Sequence, residues 1–173
     1  MGLMIWDFNL DFLSDAAALV DASLERLDRE AGASPDPDMF GILHQIEYIT
    51  GFGFVACQTY ATAVVSRRKL EKGEALALDP KHRTGRSMAQ LINAAANHWK
   101  HSSEWSADAP TNQAKQTLEV IQSLGVDSNG SYPVANSLYE ILRPLPARFA
   151  NLIPFLTQWR DALTKRTRRV TWQ

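Results

Sequence analysis

Apolar and polar residues follow two different periods along this chain, and the period changes near residue 13. From Trp6 to Phe12 the alternation is strict, which is the pattern of a half-buried β-strand. The last residues, Arg169 to Gln173, also favour extended structure. We therefore predict an extended, strand-like arm over residues 1–13, which either pairs with the C-terminus, docks on another subunit, or lies unpaired over the rest of the protein.

Beyond residue 13, apolar residues recur every three or four positions, which predicts helices. Caps and breakers place their ends. The predicted helices run from Ser14 to Glu30, Asp38 to Lys72, Ser87 to Glu104 or Trp105, Asn112 to Leu124, Pro133 to the Pro144 and Pro146 break, and from there to Arg168. The prediction is a single all-α domain over residues 1–173, an antiparallel bundle of five or six helices with a basic tail from 165 to 173.

Composition indicates the cellular environment of the protein but says little about its function. At 173 residues and 45% apolar content the chain can bury a core without disulfides, and its net charge of -1 creates no global attraction to nucleic acid or acidic lipid. Its single cysteine, Cys57, lies in the apolar second helix and is expected to be a core residue in a reducing, cytoplasmic setting. The longest apolar stretch is interrupted by His44, Glu47 and Gln58, so no membrane span is expected.

A polar stripe crosses the otherwise apolar second helix. Its members fall within about 60° of one another on a helical wheel; they are His44, Glu47, Gly51, Gln58 and Thr62. Buried polar groups need partners, and the glycines of this helix would let another helix or a ligand approach its backbone. Two interpretations remain open: core residues bonded to their neighbours, or part of a functional site.

The end of the third helix, Asn97-His-Trp-Lys-His-Ser-Ser-Glu104, is the densest cluster of unusual residues. His98 and His101 are three positions apart, close enough on a helix to share a metal ion, with Glu104 one turn further. His44 or Glu47 could complete a zinc site, which would make the protein a metal-dependent enzyme. Without metal, His98, His101, Asn97 and Glu104 could form a catalytic set, or the histidines could be structural.

The same helix, with Asn93, Asn97, His98 and His101, resembles the polar helix of HEPN-type proteins, helical bundles common in bacterial toxin and defence systems. The resemblance covers this helix and the all-α layout. It implies a dimer that binds RNA, with His98 or His101 as the histidine of the family motif and Asn93 or Asn97 as its polar partner. In HEPN ribonucleases an arginine is followed by four to six intervening residues and then the histidine; this arginine has no counterpart here, since Arg86 lies twelve positions before His98. That departure implies an inactive or binding-only member.

Basic segments and aromatic residues leave two kinds of partner open. Arg67 to Lys69, Lys81 to Arg86 and Lys165 to Arg169 could contact RNA phosphates, with Trp99, Trp105 and Trp172 stacking on bases. They could equally be solvated helix ends. In the alternative of a non-catalytic adaptor, Trp6, Phe8 and Phe12 would bind a partner protein or a second copy of the chain. Glycine-rich phosphate loops and serine nucleophile motifs are missing from the sequence, so nucleotide-dependent chemistry is disfavoured and no cofactor is expected.

Overall fold

The computed structural model describes residues 7–68, 70–105 and 110–170, the last three by their backbone alone. Seven α-helices occupy these ranges: α1 Phe8–Ala33, α2 Ile42–Ser66, α3 Lys72–Leu76, α4 Met88–His101, α5 Asn112–Ser123, α6 Pro133–Leu142 and α7 Ile153–Val170. A short 3₁₀ helix follows α4 at Ser102–Glu104, and another precedes α7 at Phe149–Leu152. The all-α prediction is confirmed, and the helix beyond the expected five or six is α3, in a segment that was expected to be a loop.

The strand-like arm was predicted wrongly over residues 8–12, which form the first turns of α1; residues 1–6 lie outside the described part. Asp7 caps this helix, because its side chain accepts a hydrogen bond from the Leu10 N–H. The alternation was misleading because Phe8 and Phe12 are exposed, whereas the buried Leu13, Ala17 and Leu24 continue a helical period. Helix α1 therefore starts six residues before the predicted cap at Ser14.

Helix α2 is the central helix, and it packs against α1, α4, α6 and α7. It is shorter than the predicted span from Asp38 to Lys72, because Gly41 adopts a left-handed backbone (φ 71°) and the chain turns at Arg67. By length and composition α2 could cross a membrane. However, 56% of its most apolar window is buried inside the protein, as in the core helix of a soluble protein.

The capping signals of the later helices predicted their starts correctly. Ser87 forms a capping box with Gln90 at the start of α4, Thr111 caps α5, and Pro133 begins α6. Pro154 lies at the second position of α7 and opens that helix rather than kinking it. These starts matter for function, because they set which residues of α4 face α2 and which face α5.

Candidate functional site

The buried side-chain amide of Gln58 joins α2 to α4. The Gln58 side chain is 7% exposed, and its Nε2 donates to Oδ1 of Asn93 over 2.9 Å and to Oδ1 of Asn97 over 2.8 Å. Its Oε1 accepts from Nζ of Lys100 over 2.6 Å. A buried primary amide with both ends bonded is a fixed template, so the two asparagines and the lysine are held in one arrangement.

These asparagines line a cleft of about 140 Å³ between α4 and α5. The cleft is lined by five side-chain amides, one buried threonine and three apolar residues: Gln90, Asn93, Asn97, Gln113, Gln116, Thr117, Leu76, Ala94 and Val120. Lys100 lies next to it on α4, and the pKa of this lysine is lowered by partial burial and by the nearby charge of Lys72. The cleft thus offers many neutral donors and acceptors beside two cations.

The structure divides the predicted catalytic residues between two sides of α4. Asn97 belongs to the Gln58 network, and His101, one turn later, pairs with Glu104 at 3.2 Å between Nδ1 and Oε2. His98 points elsewhere: it is 5% exposed, its Nε2 lies 3.1 Å from the Ser128 carbonyl oxygen, and its ring packs edge-on against Trp105. The two histidines therefore do not act on one group from one face.

Burial lowers the pKa of His98, against the opposing effect of its hydrogen bond to Ser128. Its Nε2 must carry the proton to donate to that carbonyl, so its Nδ1 has a free lone pair and no protein partner among the described residues. In this tautomer the neutral His98 side chain hydrogen-bonds α4 to the loop that precedes α6.

His98 also lines a second cleft, of about 320 Å³, together with Glu47, Tyr48, Trp99 and the start of α6. The Glu47 carboxylate accepts from the Val134 N–H over 2.9 Å and from the Ala135 N–H over 2.7 Å. Burial raises the pKa of Glu47 although these hydrogen bonds favour the charged form. The N-cap residue of α6, Tyr132, makes no capping hydrogen bond with its side chain. Glu47 of α2 caps α6 instead.

Two of the three remaining members of the α2 stripe pack against aromatic rings. The His44 ring lies edge-on to Tyr132, with ring centroids 5.2 Å apart. Gly51 faces the Trp99 indole, and Thr62 is exposed. Glu47 and Gln58 are thus the two stripe members with hydrogen bonds to neighbouring elements; Glu47 lines the second cleft, and Gln58 reaches the first through Asn93 and Asn97.

The described residues contain no group of three or more His, Cys, Asp or Glu side chains placed to hold a metal ion. Both oxygens of Glu47 accept hydrogen bonds from α6, and Nε2 of His98 donates to Ser128, so Nδ1 is the ring nitrogen of His98 that keeps a lone pair. Cys57 is 1% exposed, and burial raises the pKa of its thiol to about 12, as expected of a core cysteine.

The predicted basic segments differ in how their charge is used. In the segment from Lys81 to Arg86, Arg83 pairs with Glu140 of α6, and Nε2 of His82 lies 3.3 Å from the Glu140 carbonyl oxygen. This segment is therefore tied to the protein. Arg67 and Arg68 at the end of α2 face a cavity that Arg160 of α7 also lines; Lys69, Trp172 and the side chains of Arg168 and Arg169 lie outside the described part.

Sequence reasoning singled out Gln58, Asn93 and Asn97 separately but did not connect them, and it gave Lys100 no role. The available signal was the spacing of Asn93, Asn97 and Lys100, which are four and three positions apart and share one helix face. No known protein family, curated protein or solved structure matches this chain.

Proposed function

We propose that the protein is an RNA-binding, HEPN-like interaction protein of the bacterial toxin and defence type, and that the cleft between α4 and α5 binds single-stranded RNA. The observation that carries this proposal is the Gln58 network, which holds Asn93, Asn97 and Lys100 beside the cleft. Apolar replacements at these positions would pack α2 against α4 without a buried polar network, so a role beyond packing accounts for the amides better.

The chemistry of the cleft suits nucleotides. Asparagine and glutamine amides present paired donors and acceptors to base edges, and sequence-specific RNA recognition favours unpaired bases that can be reached this way. Lys100, one turn after Asn97 on α4, supplies positive charge for the phosphate backbone, and Lys72 is near enough to lower its pKa. With few cations and a net charge of -1, binding should be modest in strength and only moderately sensitive to salt.

Binding is favoured over cleavage. The residues that line this cleft include no arginine to neutralise a pentacoordinate phosphate, and His101 is paired with Glu104 at the surface rather than with Asn97. His98, the other histidine of the motif, is buried on a different side of α4. The resemblance to HEPN proteins therefore supports recognition of RNA by Asn93, Asn97 and Lys100 without catalysis.

The test is fluorescence anisotropy with labelled single-stranded RNA of mixed sequence, compared with a duplex of the same length. Lys100→Ala should weaken binding several-fold and reduce the dependence on salt by about one phosphate contact. Lys115→Ala is the matched control, since it removes the same charge from the exposed face of α5 away from the cleft. Absence of RNA binding by the wild type, or equal affinity of the two variants, would contradict the proposal.

A second candidate function is self-association through α1, the adaptor role. Phe12 and Leu19 are 71% and 73% exposed and lie seven residues apart on one face of α1. Beside Phe12 lies an uncharged groove of about 250 Å³ between α1 and α2, lined by Asn9, Phe12, Leu13, Ala16, Ala56, Thr59, Tyr60 and Ala63. A second copy could bury its own Phe12 in this groove by a symmetric contact.

Sedimentation velocity of Phe12→Ser tests this role, with Tyr139→Ser as the control that removes an exposed aromatic residue from α6. We expect a dimer in the wild type and the control and a monomer in Phe12→Ser. A wild type that stays monomeric at high concentration would rule the contact out. This substitution is better than removal of residues 1–12, which would also remove the Asp7 cap of α1.

A further inference from the structure

Three arginines meet in a cavity of about 260 Å³ where the start of α1, the end of α2 and the middle of α7 come together. They are Arg67 and Arg68 after α2 and Arg160 on α7, and Asp7, Asn9 and Thr164 complete its polar lining. This cavity is separate from the amide-lined cleft, with which it shares no lining residue.

Arg160 is already neutralised and held in place. Its Nη1 donates to Oδ2 of Asp7 over 2.8 Å, and its Nη2 donates to Oδ1 of Asp161 over 3.0 Å. The Asp7 carboxylate also accepts from the Tyr60 hydroxyl over 3.2 Å. Asp7 is therefore occupied with Arg160 and Tyr60, and it is the only carboxylate among the residues that line the cavity.

Arg67 and Arg68 have no such compensation. Within the described ranges neither of them belongs to an ion pair. Arg68 donates from Nη2 to the Thr164 hydroxyl over 3.1 Å, and this places its guanidinium in the cavity. Its Nε is buried and has no protein acceptor in the described part of the chain. Two guanidinium groups without an ion pair in the described ranges line one cavity whose single carboxylate is already engaged, and an anion would balance their charge.

We propose that this cavity binds the phosphate group of a phosphomonoester. The forked N–H groups of arginine match two phosphate oxygens at once, and a doubly charged phosphate matches two uncompensated guanidinium groups better than a carboxylate does. Arg67 and Arg68 bind the phosphate, while the Thr164 hydroxyl and Arg160 keep Arg68 and the cavity wall in position. The volume leaves room for the phosphate and a small part of the molecule that carries it.

The first experiment is isothermal titration calorimetry of the full chain with inorganic phosphate in a chloride buffer at pH 7.5. We expect saturable binding, with an affinity about tenfold or more weaker in Arg68→Ala and in Arg67→Ala. Arg26→Ala is the matched control, because it removes the same charge from an exposed pair with Glu30 on α1. Arg68→Lys should recover only part of the affinity, since lysine keeps the charge and loses the fork.

Two further arms identify the source of the phosphate. A short RNA with a 5′-phosphate is compared with the same RNA carrying a 5′-hydroxyl, in the wild type, Arg68→Ala and Lys100→Ala. A preference for the phosphorylated end that Arg68→Ala abolishes and Lys100→Ala retains would assign the cavity to a nucleic-acid terminus. Phosphate binding without such a preference would assign it to a small phosphorylated molecule.

The proposal is overturned if inorganic phosphate produces no binding heat and no rise in the melting temperature of the wild type. It is also overturned if phosphate binds Arg67→Ala and Arg68→Ala as tightly as Arg26→Ala. Arg67 is exposed and belongs to no ion pair among the described residues, so Arg67→Ala decides the question even if Arg68→Ala folds poorly. The cavity does not include Lys100. The Arg67 and Arg68 variants therefore test the phosphate site, and Lys100→Ala tests the RNA-binding cleft separately.

Discussion

Gly53 of α2 lies directly against the ring of Phe149, so closely that a Cβ on Gly53 would be 2.3 Å from Cζ of that ring. Phe149 is 1% exposed and also packs edge-on against Phe54, with ring centroids 5.2 Å apart. The ring therefore has no space into which it can withdraw. This contact explains a glycine in the middle of a long helix, where glycine is otherwise unfavourable.

Gly53→Ala should lower the free energy of unfolding by about 1–3 kcal/mol, because the overlap with Phe149 outweighs the better helix propensity of alanine. Urea unfolding followed by circular dichroism measures it. Gly32→Ala is the control: it lies near the end of α1, where an added Cβ meets nothing within 4 Å, and it should be neutral or slightly stabilising. Equal effects of the two substitutions would contradict the packing argument.

Glu47→Ala should destabilise the protein by about 1–3 kcal/mol, since the two N–H groups at the start of α6 would lose their acceptors in a partly buried place. Glu47→Gln should cost less, because one oxygen remains to accept. The comparison is Glu119→Ala, an exposed glutamate of α5. Thermal and urea unfolding of the three variants would rank them, and a Glu119 effect as large as that of Glu47→Ala would exclude the capping role.

Stability should fall as the pH is lowered from about 7 to 5, and His98 should account for part of the fall. Its folded pKa is lowered below the ordinary value of 6.5 by burial, so the neutral form is favoured in the folded state. The folded protein takes up this proton later than the unfolded chain does, and it loses stability as the pH drops through 6.5. His98→Gln should show a shallower slope over this range in urea unfolding; an unchanged slope would contradict the inference.

Asp7→Asn should be less stable than the wild type at neutral pH by about 1 kcal/mol, because asparagine can still cap α1 but loses the charged contact with Arg160. Burial would raise the pKa of Asp7, but hydrogen bonds from Arg160, Leu10 and Tyr60 outweigh it and hold the pKa below 3.8. This contribution is present above the unfolded pKa and is lost as the pH falls through the folded one. The difference between wild type and variant should therefore shrink below about pH 4; a constant difference from pH 7 to pH 2 would contradict it.

The helical class and most helix starts can be predicted from the amino-acid sequence, because caps and prolines act locally. Ser87, Thr111 and Pro133 begin their helices where the pattern predicts, and Gly125 (φ 81°) ends α5. Prediction from the sequence failed where the local pattern of apolar residues does not match which residues are buried. Phe8 and Phe12 alternate like strand residues, yet they lie exposed on a helix whose cap, Asp7, is bonded to Arg160, 153 positions away.

Which polar residues meet depends on how the helices pack against one another. Glu47 and His98 were predicted as metal or catalytic groups, but the placement of α6 and of the loop before it supplies each with a backbone partner. Gln58 meets Asn97, and Arg68 meets Arg160 across a cavity, because separate helices pack together. Hydrogen bonds and charge balance depend on distances of a few ångströms between distant parts of the chain, and no local period in a sequence carries those distances.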